Sequence, residues 1–375
     1  MKRLFTNQWF WLAVIVGLGI FFRFWKIVEW QHLTYDQARD YIILKRILVD
    51  HKWTLVGPTV SIAPGFFLPP FYYYSLLPFI YLFNFHIVGP DVYTAILGVF
   101  SMIIFYFLAK DLFGVFPSLV STFAFAVNPY LVQTGRHAWN PNTIFLYSLL
   151  FFLSFEKYIL KKQRKWLILA GFSLGWAIGL HLTAIVFLPF FVYLLFLEIK
   201  NRLFDKWTIG GILLLLVIFF PLVIFDMKHN FPISKAGMSY INGDGSKSSG
   251  DGSFLIRLKE MVADSYKMPA VLLSGTFQKE NLTIRPSNIT SFSSVDIFSE
   301  TAPPRKILIY FSVLLWIYSV FSVFTKKNIK SKVLLMFLFF GLFIRLCFPA
   351  TLFYFYYYLS VFPVVYLFLA NSIAD

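Results

Sequence analysis

Charge is what this sequence has least of. Charged side chains make up 14% of its 375 residues, against about a quarter in a soluble chain. Cysteine is nearly absent. Cys347 stands alone inside an apolar run, which excludes an intrachain disulfide and a cysteine-based metal cluster. Acidic residues number 18 against 33 Lys and Arg, for a formal net charge of +15. No long basic stripe or recognition-helix pattern goes with that charge, so nucleic acid is not expected as a partner. No internal repeat is visible.

What fills the chain is apolar and aromatic. Hydrophobic residues reach 58%, with 48 Phe and 21 Tyr among them, and mean hydropathy is +0.70. One water-soluble core cannot hold that many rings. Apolar runs long enough to cross a bilayer, ~20 residues each, recur along the whole chain. The expected class is an all-α polytopic membrane protein. The first run, Trp9 to Val28, is not followed by a small-residue cleavage site and reads as a retained helix.

Orientation follows from the basic residues. They cluster in short loops at Lys161, Lys162, Arg164 and Lys165, and again at Lys326, Lys327, Lys330 and Lys332. The positive-inside rule puts those loops and both termini in the cytoplasm, with about ten crossings between them. The chain is then one membrane-embedded module over 1–375. It has a first extracytoplasmic loop at 29–68 and a large one at 226–305. Pro69 to Phe85 begins Pro-Pro and carries Pro78 inside. It reads as a re-entrant or juxtamembrane segment, with an ordinary span as the alternative. The large loop holds a Gly/Ser-rich, flexible stretch from Gly243 to Ser253. Asn281-Leu-Thr and Asn288-Ile-Thr match the glycosylation pattern, a triplet common by chance.

The polar residues of interest lie on the outer side. Asp36 to Leu48 reads as an interfacial helix with Tyr41, Leu44 and Leu48 on one stripe. Asp36, Arg39 and Asp40 then share a face. They read as a solvated helix start with Asp36 as N-cap, or as a reactive cluster. In Gly135-Arg-His-Ala-Trp-Asn-Pro-Asn142, Asn140 suits a turn and Asn142 a helix cap. Yet Arg136, His137, Trp139 and two amides exceed what a minimal connector needs. Arg345 sits in an apolar run, where an unpaired arginine costs on the order of 3 kcal/mol. It either snorkels or faces a pocket awaiting an anion, as do Arg23 and Lys26. His181 closes a hydrophobic helix, as a packing residue or a site residue. Asp226, Lys228 and His229 begin the large loop on the same face.

Cations, a carboxylate, amides and aromatics such as Trp30, Trp53, Tyr72, Tyr73 and Tyr74 thus gather at the outer leaflet. The combination suits a lipid-anchored phosphate carrying a sugar. Guanidinium groups match phosphate oxygens, aromatic faces stack on a sugar's C–H surface, and a carboxylate can take a proton from a hydroxyl. Phosphate leaves readily. One inverting displacement then suffices, without the paired carboxylates of glycoside hydrolysis.

Four segments carry a family resemblance: Phe22-Arg-Phe-Trp-Lys26, Tyr35-Asp-Gln-Ala-Arg39, Leu68-Pro-Pro-Phe-Tyr-Tyr73 and the Gly135–Asn142 stretch. In order and spacing the sequence resembles the GT-C membrane glycosyltransferases. It is most similar to the family of dolichyl-phosphate-mannose protein mannosyltransferases and aminoarabinose lipid A transferases (glycosyltransferase family 39-like). The resemblance covers roughly the first 190 residues, and Tyr354–Pro363 fits more loosely. It implies a GT-C fold with juxtamembrane helices in the first outer loop. It also implies a polyprenyl-phosphate sugar donor, surrounding membrane lipids, and transfer of a hexose or pentose to an extracytoplasmic protein, lipid or cell-surface glycan.

Carried over residue by residue, Asp36 would be the catalytic base or acceptor-orienting carboxylate, and Arg39 would fix Asp36 or the donor phosphate. Substrate contacts are expected from Arg136, His137, Asn140, Asn142, His181, Arg345, Tyr72 and Trp139. Two departures stand out. Gln37 replaces the family's Glu, and Asn140 or Asn142 stands where a second Asp is common. An amide is no general base, which bears against a second acid and against a metal held between two acids. The residues single out no cofactor, and a divalent cation remains an open alternative. A transporter or flippase for a lipid-linked sugar would be expected to show paired repeats. An inactive donor-binding homologue would not need to retain Asp36 and Arg39.

Overall fold

The computed structural model describes residues 7–31, 33–60, 65–242, 254–275, 303–326, 328–347 and 355–374. The Gly/Ser-rich stretch and both Asn-x-Thr triplets lie outside the described residues. In chain order the helices are α1 Gln8–Phe24, α2 Tyr35–Val49, α3 Phe71–Leu82, α4 Val88–Phe113, α5 Val115–Val127 and α6 Pro129–Thr134. Next come α7 Ile144–Lys161, α8 Trp166–Leu180, α9 Leu188–Lys200, α10 Lys206–Val217 and α11 Phe220–Lys228. The last are α12 Pro232–Ile241, α13 Phe254–Ser274, α14 Pro303–Thr325, α15 Ile329–Cys347 and α16 Phe362–Ile373. Among the described residues the only β pairing is an isolated antiparallel bridge between Thr59 and Phe67.

Four helical stretches are long and apolar enough to cross a bilayer: Val88–Phe113, Asn140–Lys161, Leu182–Lys200 and Arg305–Thr325. Lys206–Val217 and Phe220–Lys228 would make a fifth as one span bent by 45°. Further apolar helices, Gln8–Phe24, Val115–Val127, Trp166–Leu180 and Phe362–Ile373, are shorter. Proline shortens several hydropathy runs. Pro189, Pro221 and Pro363 each sit in the first turn of a helix, where the missing N–H costs nothing. The apolar run Ile209–Phe225 is broken at Ile218–Phe219, just before Pro221. Within Pro69–Phe85, α3 has 12 residues, about 18 Å of helix, less than the ~30 Å hydrocarbon core. The stretch 226–305 is helical where described, in α12 and α13.

The chain forms two compact units. One comprises Met1–Arg23, Val99–Thr134 and Gly250–Asp375; the other comprises Phe24–Gly98 and Gly135–Ser249. In the first, Phe105 stacks on Phe125 at 5.1 Å and the Tyr366 ring stands nearly perpendicular to both. Arg23 is buried here, where its guanidinium donates to the carbonyls of Gly19 (3.2 Å), Ala126 (3.1 Å) and Leu131 (3.4 Å). It neither snorkels nor faces a pocket. Backbone carbonyls replace the water that an intramembrane arginine would otherwise demand.

In the second unit α8 packs on both α7 and α10. A Cβ on Gly171 would lie 1.9 Å from the carbonyl oxygen of Gly211, so only glycine permits the α8–α10 crossing. At one end of these helices Arg164 binds Glu198 (Nη2 to Oε2, 2.5 Å) and Asp205 (Nη1 to Oδ2, 2.9 Å). Glu198 also accepts from Tyr158 and Thr208, at 2.6 Å each. Arg164 is one of the basic residues on which the expected orientation rests, and its ion pairs tie α7, α9 and α10 together.

Candidate active site

The site grows from the start of α2. Thr34, not Asp36, is the N-cap. Its hydroxyl faces the Gln37 N–H while the Gln37 side chain accepts from the Thr34 N–H at 3.0 Å, a capping box. This frees Asp36 for other partners and gives Gln37 a role a glutamate would share. The buried stripe of α2 is Asp40, Leu44 and Ile47, one residue off the expected Tyr41, Leu44 and Leu48. The buried stripe includes a carboxylate because Arg39 and Tyr73 both reach it.

Arg39 donates from Nη1 to Asp36 Oδ1 at 2.8 Å. From Nε and Nη2 it donates to Asp40 Oδ1 at 2.9 and 2.7 Å. Tyr73, on α3, donates its hydroxyl to the same Oδ1 at 3.0 Å. Asp36 is half-exposed, whereas Asp40 is buried. Burial pushes the Asp40 carboxyl up to about 6 even though Arg39 and Tyr73 oppose the shift. For Arg39, burial works downward, but Asp40 and Asp36 outweigh it and hold the guanidinium above its ordinary value.

The 135–142 loop meets this cluster from across the unit. Trp139 Nε1 donates to Asp36 Oδ2 at 3.2 Å. Gln37 Nε2 lies 3.2 Å from His137 Nδ1. The loop is held by Asp91, at the start of α4. Its Oδ1 accepts from the Ala138 N–H at 2.7 Å and its Oδ2 from Gln31 at 3.0 Å. Arg136 donates to the carbonyls of Trp25 (2.8 Å) and Lys26 (3.1 Å) and lies over the Trp30 ring. Asn140 and Asn142 are both buried. Their amides donate to the Leu180 carbonyl at 2.6 Å and the His137 carbonyl at 2.9 Å, so these donors secure the loop.

The remaining expected residues have other partners. His181 contacts Thr183 at 2.8 Å. Tyr72 is buried and lines a small polar cavity with Gln31, Gln37, Asp40 and Asp91. Arg345 belongs to the other unit, where it is buried and paired with Glu260. That pairing answers the cost of an arginine in an apolar helix.

A cavity of about 450 Å³ opens on the Arg39 side of α2. Its cations are Arg39, Arg46 and Lys52, joined by His229, and its aromatic wall includes Trp53 and Tyr73. Gly57 lines it too, and a Cβ there would lie 2.2 Å from the Pro69 carbonyl oxygen, so the chain closes tightly behind. Arg46, Lys52 and Asp91 carry no local sequence signal. Their proximity depends on chain reversals that hydropathy does not report. Both Asp36 oxygens are engaged by Arg39 and Trp139, and among the described residues no three His, Cys, Asp or Glu side chains converge as ligands would. The residues present do not fit a metal.

An all-α membrane chain with this juxtamembrane charged helix has the GT-C fold. Several solved structures share that fold. ArnT from Cupriavidus metallidurans bound to undecaprenyl phosphate aligns over 97% of this chain at TM-score 0.58 and 15% identity. An oligosaccharyltransferase from Archaeoglobus fulgidus, tethered to an acceptor peptide containing the NVT sequon, aligns over 99% at TM-score 0.57 and 14% identity. The Archaeoglobus fulgidus oligosaccharyltransferase AglB, in complex with an inhibitory peptide and a dolichol-phosphate, aligns over 98% at TM-score 0.53 and 14% identity. The chain spans 60% of the ArnT chain and 50% of each archaeal chain. The family model for dolichyl-phosphate-mannose-protein mannosyltransferase matches residues 68–225. Among curated protein sequences none matches.

Proposed function

We propose that this chain is an inverting glycosyltransferase that moves a sugar from a polyprenyl-phosphate donor to a hydroxyl or amide acceptor on the extracytoplasmic side. The observation that carries the reading is the position of Arg39. One guanidinium both holds Asp36 and lines a three-cation cavity. The donor phosphate would lie among Arg39, Arg46 and Lys52, whose charges match a leaving phosphate as the C1–O bond breaks. The acceptor atom would attack C1 from the opposite face and lose its proton to Asp36, which is half-exposed and aimed by Arg39 and Trp139. The phosphate departs with the bonding electrons, and C1 inverts. The lipid phosphates named in the ArnT and AglB structures support this donor class. The acceptor may be sought among proteins, lipids and surface glycans alike.

The test uses purified full-length protein in lipid nanodiscs with a labelled polyprenyl-phosphate sugar. Polyprenyl phosphate should be released, and Asp36→Asn should slow release by about 10²-fold, the scale of losing a general base. Equal rates in the two proteins would remove Asp36 from that role. Movement of intact donor across the bilayer without release would mark a transporter instead.

A further inference from the structure

The hydrogen bonding of Asp40 is one-sided. Oδ1 accepts three bonds, from Arg39 Nε, Arg39 Nη2 and Tyr73. Oδ2 is buried and accepts none. Asp40 borders a cavity of about 20 Å³, space for one water, whose other polar walls are Gln31, Gln37, Tyr41, Tyr72 and Asp91. The titratable and charged groups around it are Arg39 and Asp36 on its own helix, Tyr72 and Tyr73 on α3, and Asp91 on α4.

Charge counting gives the consequence. With both acids ionised, Asp36, Arg39 and Asp40 sum to −1. An anion approaching Arg39 then meets a net negative cluster, although the cavity beyond is basic. One proton on Asp40 makes the cluster neutral. Oδ2 is the oxygen left to take it, and Asp40 borders the water-sized cavity.

We propose that Asp40 takes up a proton on Oδ2 when a phosphate anion binds at Arg39, so that Asp40 is a positioning residue that couples donor binding to pH. The proposal rests on the reading that the basic cavity holds the donor phosphate. Burial already raises the Asp40 carboxyl to about 6, and the field of a bound anion raises it further, so protonation accompanies binding around neutral pH.

The probe is undecaprenyl methyl phosphate, a diester with a single negative charge across the pH range, so that its own titration does not intrude. Binding is measured by calorimetry on the full-length protein in zwitterionic nanodiscs between pH 5 and 8. Wild-type affinity should tighten as pH falls, by about tenfold between pH 8 and pH 6. Asp40→Asn, a neutral isostere, should bind at least as tightly as wild type does at low pH and lose the pH slope. The same pair of proteins in a His229→Gln, His137→Gln background should show the same contrast, a slope with Asp40 and none with Asp40→Asn, which separates Asp40 from the nearby imidazoles. Should Asp40→Asn fail to fold, proton uptake by His229→Gln protein in two buffers of different ionisation heat carries the test. The expected value near pH 7 is on the order of half a proton per probe bound. A slope retained by Asp40→Asn, or no proton uptake, overturns the proposal. No binding of the probe at any pH would instead sink the donor-phosphate reading, and this inference with it.

Discussion

Arg39 serves two acids through different edges of one planar group, and that geometry belongs to arginine alone. A lysine could offer a single ammonium to Asp36 or to Asp40, but not a fork to both. Arg39→Lys should therefore lower polyprenyl phosphate release by about 10–10²-fold even though the charge is kept. The same release assay checks it, and near wild-type rates would mean that charge alone matters at this position. At this scale the sequence was informative where contacts are local. Asp36 and Arg39 stand three apart on a helix, and their ion pair follows from spacing. Asp40 is visible on the same face, but its burial depends on Tyr73, 33 positions away. Asp91 carries no such local clue. It fixes Ala138, 47 residues on, through a turn that no pattern of residue types announces. Asn140 was legible as a turn residue, but Asn142, expected as a helix cap, lies inside the short 3-10 turn Asn140–Thr143, and the cap positions fall to Trp139 and Thr143.

Helices in the second unit owe their closest crossing to two glycines. Since a Cβ on Gly171 would lie 1.9 Å from the Gly211 carbonyl oxygen, backbone would have to move to admit any side chain. Gly171→Leu should destabilise the protein by about 3 kcal/mol, at the upper end of overpacking costs. The check is the thermal unfolding midpoint in detergent, with an unchanged midpoint arguing against the packing described. Hydropathy located most of these helices but not their ends. Pro189, Pro221 and Pro363 start new helices inside apolar stretches, and an apolar window averages over such breaks. The capping box at Thr34 is local, and Thr-x-x-Gln at the start of the helix spells it out.

For the whole molecule, orientation rests on where the basic residues fall. The loop with Lys161, Lys162 and Lys165 is expected in the cytoplasm and the Asp36 loop outside. In a Cys347→Ser background, Tyr35→Cys should react with a membrane-impermeant maleimide in intact cells. Lys162→Cys should react only after the membrane is opened. The reverse pattern would invert the topology. Tyr35 is well exposed in the structure, so poor access is not an alternative explanation. The basic cavity shows the limit of reading along the chain. Its cations come from α2, from the segment after it and from the end of α11, and only the folded unit collects them.

Gln37 has a further consequence. Unlike a carboxylate, an amide has two chemically distinct ends. Because its oxygen is turned toward the Thr34 N–H, its nitrogen must face the imidazole of His137, and Nδ1 can only receive. The ring proton is thereby assigned to Nε2, and His137 meets whatever lies beyond it as a donor. Swapping in the glutamate found in similar enzymes would reverse that polarity and force the imidazole to change tautomer or gain a proton.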